Sequence, residues 1–316
     1  MTLSIVILNY NTRELLHQCL TSLGHTLLSG ADRSFFPAEA VEVFVVDNAS
    51  TDDSVVMVAD DFPWVKLIQS SENIGFSAGN NLAIPQTRGR YVLFLNPDTV
   101  VPEGTLAEMV RFMDARPETG TATCYTELAD GQMDINCHRG FPTPWAAFCH
   151  FAKLETLFPR SPVFSQYYQG WKDLNTTHEV DALGGAFMLV RRDAAEAARV
   201  PTCGPGWWDE DYFFYGDDLD FCYRLRMGNW RVFYHPEVKI THYAGAASGM
   251  KASSKDITTA TWETKDRVLR ASTEAMRIFY RKHYRKVYPR LLTGIVLASI
   301  WFLAQIRILS HRLRRY

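Results

Sequence analysis

Tyr91-Val92-Leu93-Phe94-Leu95-Asn96-Pro97-Asp98 is the stretch that decides the fold. Its first five residues are apolar with no polar alternation, set between the Arg88-Gly89-Arg90 punctuation and a proline turn. That pattern predicts a strand covered on both faces, as in a parallel sheet. The stretch also leaves a carboxylate at the carboxyl end of the strand, where open α/β sheets bind their ligands. Asn-Pro-Asp is equally a good turn sequence, so the neighbouring segments must decide between the two readings.

Residues 3–8, 41–46 and 65–68 are further short, β-branched-rich runs, and 12–23 and 54–61 between them have helical character. Such alternation signals βαβ units around a parallel sheet. Leu8 is followed by Asn9-Tyr10-Asn11, Val46 by Asp47-Asn48-Ala49-Ser50, and Leu95 by Asn96-Pro97-Asp98. One polar strand end is a turn, but three on parallel strands line a crevice. Further along, 102–115 reads as a helix, 125–174 as a loop-rich aromatic insertion on the substrate side, and 180–190 as a strand broken by Gly184-Gly185. Residues 256–288 read as a basic amphipathic helix.

At 316 residues the chain can hold one large α/β domain or two smaller ones. Its six cysteines show no CxxC spacing, which points away from a zinc site or a disulfide framework and towards a reducing compartment. The only contiguous apolar stretch at the N-terminus, 5–8, is too short for a signal peptide, so the body is expected in the cytoplasm. Residues 265–316 carry thirteen Lys/Arg against Asp266 and Glu274, a net +11, so the rest of the chain, with net charge −2 overall, carries −13. A basic tail behind an acidic body predicts attraction to an anionic surface. Within it, residues 291–304 are apolar on every side of a helix, which favours lipid over nucleic acid. Fourteen residues make roughly 21 Å of helix against a hydrocarbon core of roughly 30 Å. The expectation is therefore an interfacial or re-entrant anchor at the inner face of the cell membrane, with a buried terminal helix as the alternative. The expected division is a catalytic unit over 1–250 and a membrane-associating tail over 251–316.

Asp47, just after Val43-Phe44-Val45-Val46, is suited to accept a hydrogen bond from a pyrimidine ring N–H, or alternatively to cap a helix begun by Ser50-Thr51-Asp52-Asp53. Asn73-Ile74-Gly75-Phe76-Ser77-Ala78-Gly79-Asn80-Asn81 is a small-residue turn that lets backbone and amide groups approach a ribose or phosphate. Neither a P-loop nor GxGxxG is present. A diphosphate leaving group would then need its positive charge from a divalent cation on Asp98, with Asn96 orienting the ion or its water; Mg²⁺ or Mn²⁺ suits oxygen ligands. Between Trp207 and Asp220 six carboxylates lie among six aromatics. Adjacent acids in such surroundings can furnish a general base, and flat aromatic faces such as Trp207 and Trp208, beside Asp209, suit sugar rings. On a helix Asp217 and Asp218 point in different directions, so at most one faces a given hydroxyl, while Asp220 and Arg224 are spaced for an ion pair.

Six motifs in order, Ile5 to Asn11, Val45 to Asp52, Asn73 to Asn81, Leu95 to Asp98, Gly184 to Arg192 and Asp217 to Arg224, resemble the signatures of inverting family 2 glycosyltransferases, closest to the rhamnosyltransferase-like branch. The resemblance covers roughly residues 1–249. It implies an α/β GT-A fold in which Asn9, Tyr10, Asp47, Asn48, Asn73, Asn80, Asn96 and Asp98 hold the nucleotide, and Gly184, Gly185, Trp207, Trp208 and Asp209 face the sugar or acceptor. Asp98 and His242, with Asn96, would hold Mn²⁺ or Mg²⁺, and Asp218 would deprotonate the acceptor hydroxyl, with Asp217 beside it. Two positions depart from the family pattern: Asp-x-Asp reads Asn96-Pro97-Asp98, and Glu-Asp reads Asp217-Asp218. The implied partners are a UDP- or dTDP-type sugar donor, a glycan or lipid-linked acceptor and an anionic membrane surface. Nucleic acid is not expected, and a homo-oligomer is compatible with the sequence. The rival readings are a silent membrane-anchored sugar-nucleotide-binding subunit and a sugar nucleotidyltransferase, which would need a Gly-rich basic loop after Leu8.

Overall fold

The computed structural model describes residues 1–30, 32–37, 39–245 and 260–313. Nine strands form one mixed sheet: β1 (Leu3–Asn9), β2 (Val41–Asp47), β3 (Val65–Gln69), β4 (Tyr91–Leu95), β5 (Thr99–Val100), β6 (Thr119–Leu128), β7 (His178–Glu179), β8 (Phe187–Arg191) and β9 (Arg231–His242). Their order is β3-β2-β1-β4-β8-β6-β9-β5, with β7 also on β9. β1 to β4 are parallel to one another, as the apolar runs predict, and β8 enters antiparallel between β4 and β6. The strand expected over 180–190 begins only at Phe187, because Gly184 and Gly185 belong to the loop before it.

Alternate residues of the parallel strands serve two cores, which is why the strands show no polar face. Leu3, Ile5 and Ile7 pack with helices Arg13–Gly24 and Thr105–Ala115, whereas Val6, Phe44 and Phe94 pack with Trp207, Trp208 and helix Asp217–Met227. β9 carries Pro236 without breaking. Its pairing to β6 jumps there from Cys124↔His235 to Tyr125↔Lys239, so the proline falls in the bulge and no ladder bond needs its missing N–H.

Helix Trp262–Phe279 lays Val268, Leu269, Ala275 and Phe279 against the body, all buried. It continues through a π-helical turn, Tyr280–Tyr284, to a bend, and helix Arg290–Leu313 then runs back alongside, stacking His311 on Trp262 at 5.3 Å. The last helix is longer than the fourteen-residue apolar run: Arg290–His311 is long and apolar enough to cross a membrane by length and composition. The first residues of the helix expected over 256–288, and the boundary expected at 250/251, lie outside the described residues.

Candidate active site

A cavity of about 380 Å³ opens at the carboxyl ends of β1, β2 and β4, where Leu8, Tyr10, Asn48, Asn96, Pro97 and Asp98 line it. This is the edge at which an open α/β sheet presents its binding crevice. Gly184 and Gly185, the Asp217-Asp218 pair and His242 form other walls, and Thr264 and Arg267 of helix Trp262–Phe279 close one side.

Asp98 and His242 are joined through backbone pairing. β5 follows Asp98 directly and pairs antiparallel with the end of β9, putting Thr99 opposite His242, while the N–H of Tyr243 donates to the Asp98 carbonyl at 2.8 Å. His242 Nε2 then lies 3.2 Å from Asp98 Oδ1 and its Nδ1 3.1 Å from Asp134 Oδ2, with all three side chains at least nine-tenths buried. Burial disfavours the imidazolium, but the Asp98 and Asp134 carboxylates outweigh it and raise the ring to about 9. Asn96 Nδ2 is 3.4 Å from the same Nε2, so the departure from Asp-x-Asp leaves an amide at this cluster.

Asp217 and Asp218 open helix Asp217–Met227, whose first turn follows Gly216 at φ 78°. Arg139, itself buried, donates to Asp218 Oδ2 and also to the Leu183 carbonyl at 3.3 Å. Burial works against the guanidinium's charge, and the Asp218 carboxylate more than restores it. The other Asp218 oxygen accepts the Leu219 N–H at 2.7 Å, while Asp217 Oδ1 accepts the Asp218 N–H at 2.9 Å. Burial, with Asp218 adjacent, pushes the Asp217 carboxyl up to about 8. The two acids are thus unlike: one is the counter-ion of a buried arginine, the other a buried first-turn carboxyl that holds its proton to higher pH.

Other residues singled out from the sequence stand behind the lining. Asn9, fully buried, donates to Asp47 Oδ1 and to Ser50 Oγ, both at 3.0 Å, and Asp47 Oδ2 accepts the Ser50 N–H at 2.9 Å. The Asp47 carboxylate therefore closes a turn onto Ser50 and caps no helix, because the helix expected to begin at 50–53 starts only at Ser54, with Asp53 as its N-cap. Asn48 bonds Asn73 Oδ1, the Gly75 carbonyl and the Ile74 N–H, tying the 73–75 loop to β2. At Gly75, φ 88° and a Cβ that would fall 2.5 Å from the Phe213 carbonyl make glycine necessary. Asn80 is spent within its own helix, on the Phe76 carbonyl at 3.0 Å.

Trp207 and Trp208 are fully buried in the core and offer no sugar platform; the aromatics of that segment that reach the cleft are Phe213, Phe214 and Tyr215. Asp209 is taken up by Lys282 of the C-terminal segment. Asp220 and Arg224 form the expected ion pair at 2.7 Å. Sequence reading passes over Asp134, Asn136 and Arg139, which come from the loop-rich stretch after β6. The signal for them is an acid, an amide and an arginine within six residues of one another, shortly after a strand end.

Solved glycosyltransferases share this fold. The TarS 1–349 fragment of Staphylococcus aureus aligns with 98% of this chain and 81% of its own at TM-score 0.54 and 17% identity. The mannosyltransferase PcManGT of Pyrobaculum calidifontis, solved with GDP-Man and Mn²⁺, aligns with 98% and 73% at TM-score 0.55 and 17% identity. With these proteins the chain shares the GT-A fold.

The chain belongs to glycosyl transferase family 2, whose sequence model matches residues 4–196. Its similarity to rhamnosyltransferases is direct. It is 26% identical over 235 residues to the N-acetylglucosaminyl-diphospho-decaprenol L-rhamnosyltransferase of Mycobacterium tuberculosis, spanning 71% of this chain and 73% of that one. It is 26% identical over 180 residues to the rhamnosyltransferase WbbL of Escherichia coli K12, spanning 54% and 61%.

Proposed function

We propose that this enzyme transfers a sugar, L-rhamnose by analogy with its named relatives, from a UDP- or dTDP-type donor to a lipid-linked or polysaccharide acceptor in cell-envelope glycan synthesis. The observation that carries the reading is the opening of Asp98, His242 and Asp218 onto one cleft at the strand ends of a family 2 chain. The hydrogen bonds of Asn9 and Asp47 support a role for these two in shaping the nucleotide end through the 48–50 turn, with Tyr10 and Asn48 at the surface of the cleft.

The donor set fits a divalent cation. A carboxylate oxygen and an imidazole nitrogen 3.2 Å apart match the roughly 3 Å separation of adjacent ligands around an ion with bonds of about 2.1 Å. Asp134 on Nδ1 is the outer-shell carboxylate that orients a ligating histidine. Asp98 and His242 would hold Mn²⁺ or Mg²⁺, Asn96 would assist, and the bound ion would supply positive charge to the departing diphosphate.

Asp218 accepts the proton of the acceptor hydroxyl as its oxygen attacks the anomeric carbon and the bond to the diphosphate breaks, inverting that centre. Its carboxylate uses two of about four acceptor positions on Arg139 and the Leu219 N–H, leaving room for a substrate hydroxyl. Arg139 fixes which way that carboxylate points. Tyr215 and its aromatic neighbours offer the sugar a flat face. The exposed apolar side of helix Arg290–Leu313 supports association with the inner face of the cell membrane.

Nucleotide sugars assayed with Mn²⁺ for thermal shift and donor breakdown test the reading. Release of nucleoside diphosphate with an acceptor-dependent product is expected. Pyrophosphate release would instead mark nucleotidyl chemistry, and binding without turnover a silent subunit.

A further inference from the structure

We infer that the bend between the two C-terminal helices is a phosphate-binding seat for an anionic membrane lipid, with the lipid's chains lying along the outer face of helix Arg290–Leu313. The inference deepens the membrane part of the proposed function and rests on it. A second cavity, about 530 Å³ and sharing no lining residue with the strand-end cleft, is lined by Arg281, Arg285, Lys286 and Arg290, with Thr293 and Leu297 on its apolar side.

Those four cations differ from their immediate neighbours. Lys282 is committed to Asp209 and Asp211, and His283 to Asp220 at 2.7 Å, contacts that pin the segment to the body. Among the described residues none of the four lining cations makes an ion pair, and all four are exposed. Like charges gathered around one cavity repel each other unless an anion joins them. Thr293 is buried, with its hydroxyl 3.4 Å from that of Tyr280 and its N–H on the Pro289 carbonyl, so the four cations are what the cavity offers an anion.

The helix that starts at this ring indicates what kind of anion belongs there. Val296, Leu297 and Ile300 turn inward, packed against the body's core. On the opposite side Leu291, Ile295, Phe302, Ile306, Leu309 and Leu313 are all exposed, Leu291 at 79%, most of them three or four residues from the next. This stripe spans roughly 33 Å at 1.5 Å per residue, much longer than scattered surface leucines would make. A soluble phosphate would use the cations and leave the stripe in water, whereas a phospholipid satisfies both. The expected interfacial anchor thereby acquires a polar end with a defined position. Because helix Trp262–Phe279 contributes to both the cleft and this hairpin, a lipid held at the bend fixes how the cleft stands over the membrane.

The test uses the full chain and vesicles of phosphatidylcholine alone or with one part in four phosphatidylglycerol. Binding at least tenfold tighter to the anionic vesicles is expected. Arg285→Gln and Arg290→Gln should each cost clearly more than Arg307→Gln, which removes the same charge from the same tail outside the cavity. Diffuse attraction predicts an equal loss, about fivefold, for each of the three; that result overturns the seat. So would inorganic phosphate protecting these residues with no preference between vesicles, or a dimer in solution that buries the stripe and ignores vesicles. Nucleotide-induced thermal shift is read on every variant. If it is absent from the wild type while the vesicle pattern holds, the glycosyl-transfer reading fails and the lipid site stands; the converse separates them the other way.

Discussion

Asp218→Asn keeps the shape of the side chain and removes its charge, and the structure assigns that change two separable costs. As a proton acceptor Asp218 accounts for about 10²–10⁴-fold in rate, so sugar transfer should fall at least a hundredfold. As a counter-ion it neutralises Arg139; the two side chains are only 15% and 9% exposed, so solvent screens them little. Stranding that guanidinium costs about 3–5 kcal/mol, which lowers the melting midpoint by roughly 5–10 °C. Arg139→Met in the same chain removes the stranded charge. The double variant should regain much of the midpoint and keep the at least hundredfold loss of transfer. Donor binding, read as the nucleotide-induced shift in melting, should survive in both. Full transfer by Asp218→Asn would refute the assignment of the base. A double variant no more stable than the single one would refute the assignment of Arg139 as its buried counter-ion.

Asp134→Asn should weaken Mn²⁺ binding about 10–100-fold, measured by calorimetry on the full chain, through loss of the carboxylate charge that orients His242 and raises its basicity. Asp217 makes stability depend on pH: burial raises its carboxyl from an ordinary 3.8 to about 8 in the folded chain, so the folded state holds a proton that the unfolded chain releases. Its stabilising effect is complete below about pH 4 and is lost as pH climbs to about 8, by at most about 1.4 kcal/mol per unit, and Asp217→Asn should flatten that slope in urea titrations. Asn81→Leu should lower stability by about 3–5 kcal/mol, because the Asn81 amide accepts the Trp207 and Trp208 N–H groups at 2.9 and 3.0 Å and donates to the Trp208 carbonyl and Glu210. The urea midpoint measures it.

The parallel half of the sheet is legible in the sequence because its strands are buried on both faces and bounded by polar turns, a pattern that needs no tertiary information. Residues 91–95 form the strand their apolar run predicts, and helix Ser54–Asp61 likewise matches its segment. The cleft is legible only as an edge. Asn9 and Asp47 read as nucleotide contacts because polar strand ends all look alike in sequence. Which of them faces the cavity depends on whether a neighbour such as Ser50 has already taken the carboxylate. Trp207 and Trp208 mislead for a similar reason: aromatics beside acids look like a sugar face, whereas here Asn81 satisfies their backbone and lets both rings enter the core. Asp134 and Arg139 have no periodic segment to announce them. Their positions follow from long-range pairing, such as the bridge between Arg139 and Ala182.

The pairing of Thr99 with His242 has a consequence for how this enzyme can vary. Successive residues of a strand face opposite sides, so deleting one residue from the end of β9 would turn the imidazole away from Asp98 altogether. No side-chain adjustment could compensate. Residues 140–177, by contrast, line none of the strand-end cleft, and lengthening or rebuilding them leaves that ladder untouched. The strand pair acts as a fixed gauge for the spacing of Asp98 and His242.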